Sequence, residues 1–292
     1  MVKLLAARAL AKINLYLRVT GRRPDGYHEL DSVFLPVSLS DSIRLEVRPA
    51  PEPSIALKCN VPELGNPQLN LAGRAAREFM REFDFNAQVA IDLEKRIPAG
   101  AGLGGGSSDA GMMLQMMARI AHIEEPARLH RIAVGLGADV PFFLEPRPAR
   151  AVGIGDRLTP IEGMPHLPLV IAIPPFEVPT ASIYGALKPE NWSGAAPAED
   201  IAAIARGEIT SKITVNDLAI PAIAKFPEIG RLRRLLEESG AKAAQMSGSG
   251  GAVFGVFASH EEADAAADKL YRRAPFATII TASTLDAASA SI

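Results

Sequence analysis

The run "PAGAGLGGGSSDAG", residues 98–111, holds six glycines in fourteen positions and leads directly into the helix-favouring "MMLQMMARIAHI". Glycine loses more backbone entropy on folding than any other residue, so this concentration needs a chemical reason. Glycines let consecutive backbone N–H groups converge on an anion without obstruction by Cβ atoms. Ser107, Ser108 and Asp109 offer N-cap chemistry, and the helix behind them presents free N–H groups and the positive end of its dipole. Serine hydroxyls can also bond phosphate oxygens or help to hold a metal. The chemistry suggested is a phosphate cradle.

Gly100, Gly102 and Gly105 satisfy GxGxxG, which alone is a weak signal. A dinucleotide fold requires a second strand soon after the helix, ending in an acidic residue for the ribose. Here Glu124 and Glu125 follow a helix and precede Pro126, with no Val/Ile-rich strand between. The chain contains no GK[ST] of a Walker loop, no HRD or DFG, and no GxSxG elbow. An ATP cradle is favoured over a dinucleotide site and over a plain connector.

Other residues could act with the loop. Lys12 and Asn14 share the polar face of an alternating strand, where the simplest reading is exposure to solvent. Lys95 falls in phase with Val89, Ile91 and Leu93, an unusual place for a lysine. Asp139 follows Gly137-Ala138 and precedes Val140-Pro141, where turn formation is the commoner role. Tyr27 and His28 lie just past a Pro-Asp-Gly turn.

The elements that must position these groups are mixed. Ala9, Ala11, Ile13, Leu15, Leu17 and Val19 alternate strictly and predict a strand; 42–49, 54–58 and 88–97 predict others. Helices are predicted over 69–83, from the glycine loop to about 123, and over 126–137, 197–206, 227–239 and 260–272. Short strands follow around 149–161, then a buried strand at 169–173, and further strands at 252–257 and 276–283. The order is α+β, with a boundary near residue 160.

A chain of 292 residues, 48% hydrophobic and 22% charged with a formal net charge of -2, is typical of a globular protein and argues against nucleic acid as a partner. Its single cysteine, Cys59, permits no intrachain disulfide, and its five histidines form no HExxH spacing. No apolar run reaches the roughly 20 residues that span a bilayer. A cytoplasmic protein with a small-molecule substrate and no membrane partner is expected; nothing in the sequence specifies an oligomeric state.

"PAGAGLGGGSSDA" resembles the second signature of the GHMP kinases, a superfamily of small-molecule kinases. "AKINLYLRVTGRRPDGYHELDSVF" (11–34), "LGADVPFF" (136–143), "VGIGDRLTPI" (152–161) and "MSGSGGAVFGVF" (246–257) resemble one branch, in the same order and over nearly the whole chain. That branch phosphorylates the 2-hydroxyl of 4-diphosphocytidyl-2-C-methyl-D-erythritol in the non-mevalonate route to isoprenoids. The resemblance implies an S5-like N-terminal nucleotide domain (1–160) and a ferredoxin-like C-terminal domain (161–292), with ATP and Mg²⁺ used in the cleft between them.

By the same resemblance Asp139 is the base and Lys12 its electrostatic partner. Pro98, Ala99, Gly100, Ala101, Gly102, Leu103, Gly104, Gly105, Gly106, Ser107 and Ser108 would bind ATP, joined by Ser247 and Gly248 and by Asn70 on the adenine side. Asn14, Tyr27, His28, Lys95, Thr180 and Tyr184 would contact the acceptor, the aromatic groups and His28 holding its cytosine. Mg²⁺ would bridge the phosphates; no carboxylate stands out as its ligand, and Ser107 is the residue suggested. Two departures from the pattern are Asp109, where Asn is common, and Ala219, where Glu is common. Another GHMP kinase acting on mevalonate, homoserine or a sugar, and a non-catalytic nucleotide binder, are the alternatives.

Overall fold

The alternation from Ala9 to Val19 forms the heart of β1 (Lys3–Arg22) in the computed structural model, which describes residues 2–286. The Pro-Asp-Gly turn returns the chain antiparallel as β2 (His28–Pro49), and register shifts interrupt their ladder between Leu10 and Ala11, Asn14 and Tyr16, and Val19 and Gly21. Such irregularities bend and twist a strand pair. This ribbon serves two cores: Ala9, Ile43 and Leu45 meet helices, whereas Ile13, Leu15 and Leu35 meet the second sheet.

β3 (Ser54–Cys59) is followed by α1 (Leu71–Glu82) and then by β4 (Ala87–Glu94), which lies parallel to β3 and antiparallel to β2. β4 alternates buried and exposed residues without a break. Its inner face is covered by α1 and α2 (Gly105–Ala121), with α3 (Pro126–Leu136) beside them. α2 is buried almost all round because it lies against α1, β1 and the 3-10 turn Val140–Leu144, which explains its unbroken methionine-rich sequence. Flexible Met112, Met113, Met116 and Met117 fill the irregular space.

β5 (Ala149–Gly153) and β6 (Arg157–Pro160) complete a sheet ordered β3-β4-β2-β5-β6, with β1 paired to β2. The remaining elements are β7 (Pro168–Ile173), α4 (Thr180–Tyr184), α5 (Ala198–Ala205), α6 (Ala219–Lys225), α7 (Pro227–Glu238), β8 (Ala243–Met246), β9 (Val253–Val256), α8 (His260–Arg273) and β10 (Thr278–Ser283). The second sheet is antiparallel, ordered β10-β7-β9-β8. β7 is buried on both faces: Leu169 and Ile171 turn toward the first sheet, Val170 and Ala172 toward Leu232, Leu236 and Leu270 of α7 and α8. This is why it reads as an unbroken apolar run.

The polar side of β1 does not face solvent. Lys12, Asn14 and Tyr16 are 4%, 2% and 1% exposed, because the glycine loop and the segments around 196 and 247 close over it. Buried polar groups must find partners, so this face commits the chain to a network.

Candidate active site

The glycine loop is fixed before it meets any ligand. The Lys12 N–H donates to the Leu103 carbonyl at 2.9 Å, and the Ala252 N–H donates to the Ala101 carbonyl at 3.0 Å. Gly102 has φ of 82°, and a Cβ there would collide with the Ser247 carbonyl, so glycine is required twice over. The N-cap of α2 is Gly104, at φ of 72° and with no side-chain cap. This corrects the expected serine cap: Ser107, Ser108 and Asp109 lie inside the helix, the last two buried. The first bond into the helix runs from the Ser108 N–H to the Gly104 carbonyl. The amides of Gly105, Gly106 and Ser107 therefore have no intrahelical acceptor, as an anion site requires.

The "SGSGG" loop knits the same region together. Ser247 Oγ accepts from the Asn14 N–H at 3.1 Å and donates to the Gly102 carbonyl at 3.0 Å. Ser247 is thus fully buried glue, whereas Gly248 reaches the cleft. Asn216, in the "NDL" block just before α6, donates to the Met246 and Gly248 carbonyls, both at 2.8 Å, and fixes that loop from behind.

Lys12 Nζ lies 2.5 Å from Asn14 Oδ1, 3.3 Å from Asp139 Oδ2 and 4.8 Å from the centre of the Phe34 ring. Asn14 Nδ2 donates to Ser32 Oγ at 2.9 Å, which donates to the Tyr16 carbonyl at 2.5 Å. The lysine is thereby held in one place. Asp139, 32% exposed, stands at the start of the 3-10 turn Val140–Leu144 and faces open space.

That space is a cleft of about 860 Å³, reaching from Gly102 and Gly104 past Lys12 and Asp139 to His28 and Tyr184. At the far end the His28 and Tyr184 rings stack at 5.2 Å, with Trp192 edge-on to His28 at 6.1 Å. Burial, aided by the Arg22 charge opposite it, holds the His28 imidazole below its usual range, so it is neutral at pH 7. Burial also raises the Tyr184 phenol, which stays protonated. Tyr27 is 63% exposed at the mouth, and Thr180 Oγ1 lies 2.8 Å from Ser249 Oγ on the opposite lip.

Two expected contacts are elsewhere. Asn70 caps α1 and is not part of the cleft lining: its Oδ1 accepts from the Ala72 N–H and its Nδ2 donates to the Leu64 carbonyl, both at 2.9 Å. Lys95 does not line the cleft. β4 ends at Glu94, and the in-phase position carries Lys95 under α2, where its ammonium bonds Asp41 and Asp109. Half-buried Pro98 and exposed Ala99 and Gly100 form the approach to the loop, and Ala101 and Leu103 are buried supports.

Sequence reasoning missed Asp31. It accepts from Tyr16 Oη at 2.9 Å, from two Arg150 nitrogens at 2.9 and 2.7 Å, and from the Ala196 N–H at 2.8 Å. Burial opposes its charge, but these donors outweigh it and hold the carboxyl below the usual range. Its phase with Val33, Leu35 and Val37 along the strand was the available signal. Asp217, accepting from the Val19 and Ser193 N–H groups, plays a similar bracing part.

One cleft thus runs from the glycine loop at a helix start, past a buried lysine and a half-open aspartate, to an aromatic end. The family models "GHMP kinases N terminal domain" and "GHMP kinases C terminal" match residues 70–145 and 200–275. A homoserine kinase from Cytophaga hutchinsonii (TM-score 0.75, covering 97% of this chain and 95% of that one) and the L. major mevalonate kinase (TM-score 0.74, 98% and 99%) share the fold at 14% identity. A crystal structure of 4-(cytidine 5'-diphospho)-2C-methyl-D-erythritol kinase superposes with TM-score 0.83 at 39% identity, covering 96% of this chain and 99% of that one. 4-Diphosphocytidyl-2-C-methyl-D-erythritol kinases of Anaeromyxobacter sp. (strain K) and Thermus thermophilus are 41% and 43% identical, over 92% and 90% of this chain and 86% and 91% of theirs. The chain belongs to the 4-diphosphocytidyl-2-C-methyl-D-erythritol kinase family.

Proposed function

We propose that Lys12 and Asp139 carry out, in this cleft, the reaction for which the family is named: transfer of the γ-phosphoryl of ATP to the 2-hydroxyl of 4-diphosphocytidyl-2-C-methyl-D-erythritol. The observation that carries the assignment is their ion pair between the glycine cradle and the aromatic pocket. Phosphoryl transfer asks for positioning and charge stabilisation more than for covalent chemistry. Asp139 orients the acceptor hydroxyl and takes its proton as the oxygen bonds to the γ-phosphorus; the bond from that phosphorus to the β-bridging oxygen breaks and ADP leaves. Lys12 stabilises charge on the transferring group from a rigid strand.

The amides of Gly105, Gly106 and Ser107 grip the triphosphate. Neutral His28 can read the edge of a cytosine while the Tyr184 and Tyr27 rings offer faces for stacking, and Asn14 and Thr180 stand where the methylerythritol would lie. An acceptor as small as mevalonate or homoserine would leave the aromatic end unused. Mg²⁺ neutralises phosphate charge when bound with the nucleotide. Among the described residues no three His, Cys, Asp or Glu side chains gather to hold an ion, so a metal carried mainly by the phosphates, with Ser107 as protein ligand, fits the donors present.

The division into a nucleotide domain (1–160) and a C-terminal domain (161–292) belongs to this reading. It is supported by the strands of the first sheet ending at Pro160 and those of the second starting at Pro168. No described helix is long and apolar enough to cross a membrane, and a cytoplasmic setting suits such substrates.

Turnover on a panel of acceptors tests the proposal. The cytidine diphosphate ester should be phosphorylated and mevalonate and homoserine left unchanged; the reverse preference would leave the cradle standing and remove the base pocket.

A further inference from the structure

Beneath the glycine loop lies a group of charges that the proposed chemistry does not use. The ammonium of Lys95 sits between the carboxylates of Asp41 on β2 and Asp109 on α2, at 2.6 Å from Asp109 Oδ2; the side chains are 6%, 0% and 3% exposed. Asp41 Oδ1 also accepts from the Arg96 N–H at 2.5 Å and the Ile97 N–H at 2.8 Å. Those two amides immediately precede the loop, and Asp109 lies one turn into the helix that follows it. A Cβ on Gly105 would stand 3.3 Å from Lys95 Nζ, so the ammonium is directly under the helix start.

We propose that Asp41, Lys95 and Asp109 form a buried positioning clamp that holds both ends of the glycine loop to β2 and so presets the amides that grip the triphosphate. This rests on the reading of the loop as the ATP cradle. The physical need is plain, because a glycine-rich segment with free ends would have to be ordered by the nucleotide itself, at the expense of affinity. Fixing its ends adds to the bonds from the Lys12 and Ala252 amides that already hold its middle. Lys95 bonds both sides at once: Asp41, which holds the segment before the loop, and Asp109, which stands on the helix after it.

The charges that face Asp109 are those of Lys95 and Asp41. Burial pushes its carboxyl up to about 7; Lys95 opposes that rise and Asp41 adds to it. The Lys95 ammonium is disfavoured by burial, yet the two carboxylates outweigh this and hold it above its usual range. Charge-assisted bonds from the one ammonium to both carboxylates tie the segment before the loop to the helix after it.

The test is steady-state kinetics of Asp109→Asn and Lys95→Met, with melting curves to follow folding. At pH 8 each should raise KM for ATP about tenfold, with KM for the acceptor within about twofold of wild type. Lys95→Met leaves two buried carboxylates without their cation, and if it does not fold Asp109→Asn decides alone. An unchanged KM for ATP in a folded Asp109→Asn, or equal rises for both substrates, would overturn the clamp. Wild type unable to bind ATP would overturn the cradle reading first, a result separate from any variant, and the clamp with it.

Discussion

Lys12 Nζ stands 3.3 Å from Asp139 Oδ2, joining the long first strand to the turn after α3. The lysine is 4% exposed and the aspartate 32%, so the pair is rooted in the core at one end and open to the cleft at the other. Removing either group should act on turnover. Asp139→Asn keeps the shape and loses the base, and kcat should fall about 10²–10⁴-fold with little change in KM for ATP. Lys12→Met should cost a comparable factor. Stopped assays on purified variants would check both.

Gly102 tests the cradle. Alanine there must adopt a positive φ and meet the Ser247 carbonyl, so Gly102→Ala should cost about 1–3 kcal/mol of stability and raise KM for ATP. Gly163, also at positive φ but with open space around its Cβ position, provides the control: Gly163→Ala should destabilise less and leave KM alone. Thermal melts with paired kinetics separate the two effects.

The aromatic end should be sensitive to loss of a face and indifferent to loss of a hydroxyl. Tyr184→Phe keeps the ring beside His28 and should behave as wild type, whereas Tyr184→Ala should raise KM for the acceptor about 10–100-fold, the value of one stacked base. KM for ATP should not move in either. Equal effects of the two substitutions would remove stacking from the account.

Asp31 governs stability in acid. Its carboxyl is held below the usual range, so its contribution is present above the unfolded value near 4 and is lost as the pH falls through the lower, folded value. Asp31→Asn should be less stable by about 2–4 kcal/mol at pH 7, because Arg150 and Tyr16 lose a buried partner. The gap should narrow as the pH is taken below about 4. Denaturant melts at several pH values would show it; a constant gap would point to a purely steric effect.

The sequence made some of this legible and hid the rest for identifiable reasons. β4 alternates perfectly, and its phase marked Lys95 as facing inward. Phase gives a face but not a partner: Asp41 and Asp109 lie 54 and 14 positions away, and only the fold brings them together. The loop's backbone conformation was readable from its glycines, yet the expected serine cap was displaced because a glycine at positive φ starts the helix earlier. Lys12 and Asn14 were placed on the right strand, but alternation could not show that the polar side would be covered as well. The bracing roles of Asp31 and Asn216 were not legible, because each holds backbone from distant segments, a task with no local spacing.

The most direct test of the central claim is the fate of the transferred phosphoryl. Wild type and Asp139→Asn would be incubated with ATP, Mg²⁺ and 4-diphosphocytidyl-2-C-methyl-D-erythritol, and the product examined by mass spectrometry and by phosphorus–proton correlation. A phosphate monoester on the 2-oxygen, formed one for one with ADP by wild type and almost absent from the variant, is the predicted result. ADP formed with free phosphate and no ester, or an ester formed equally well by Asp139→Asn, would contradict it.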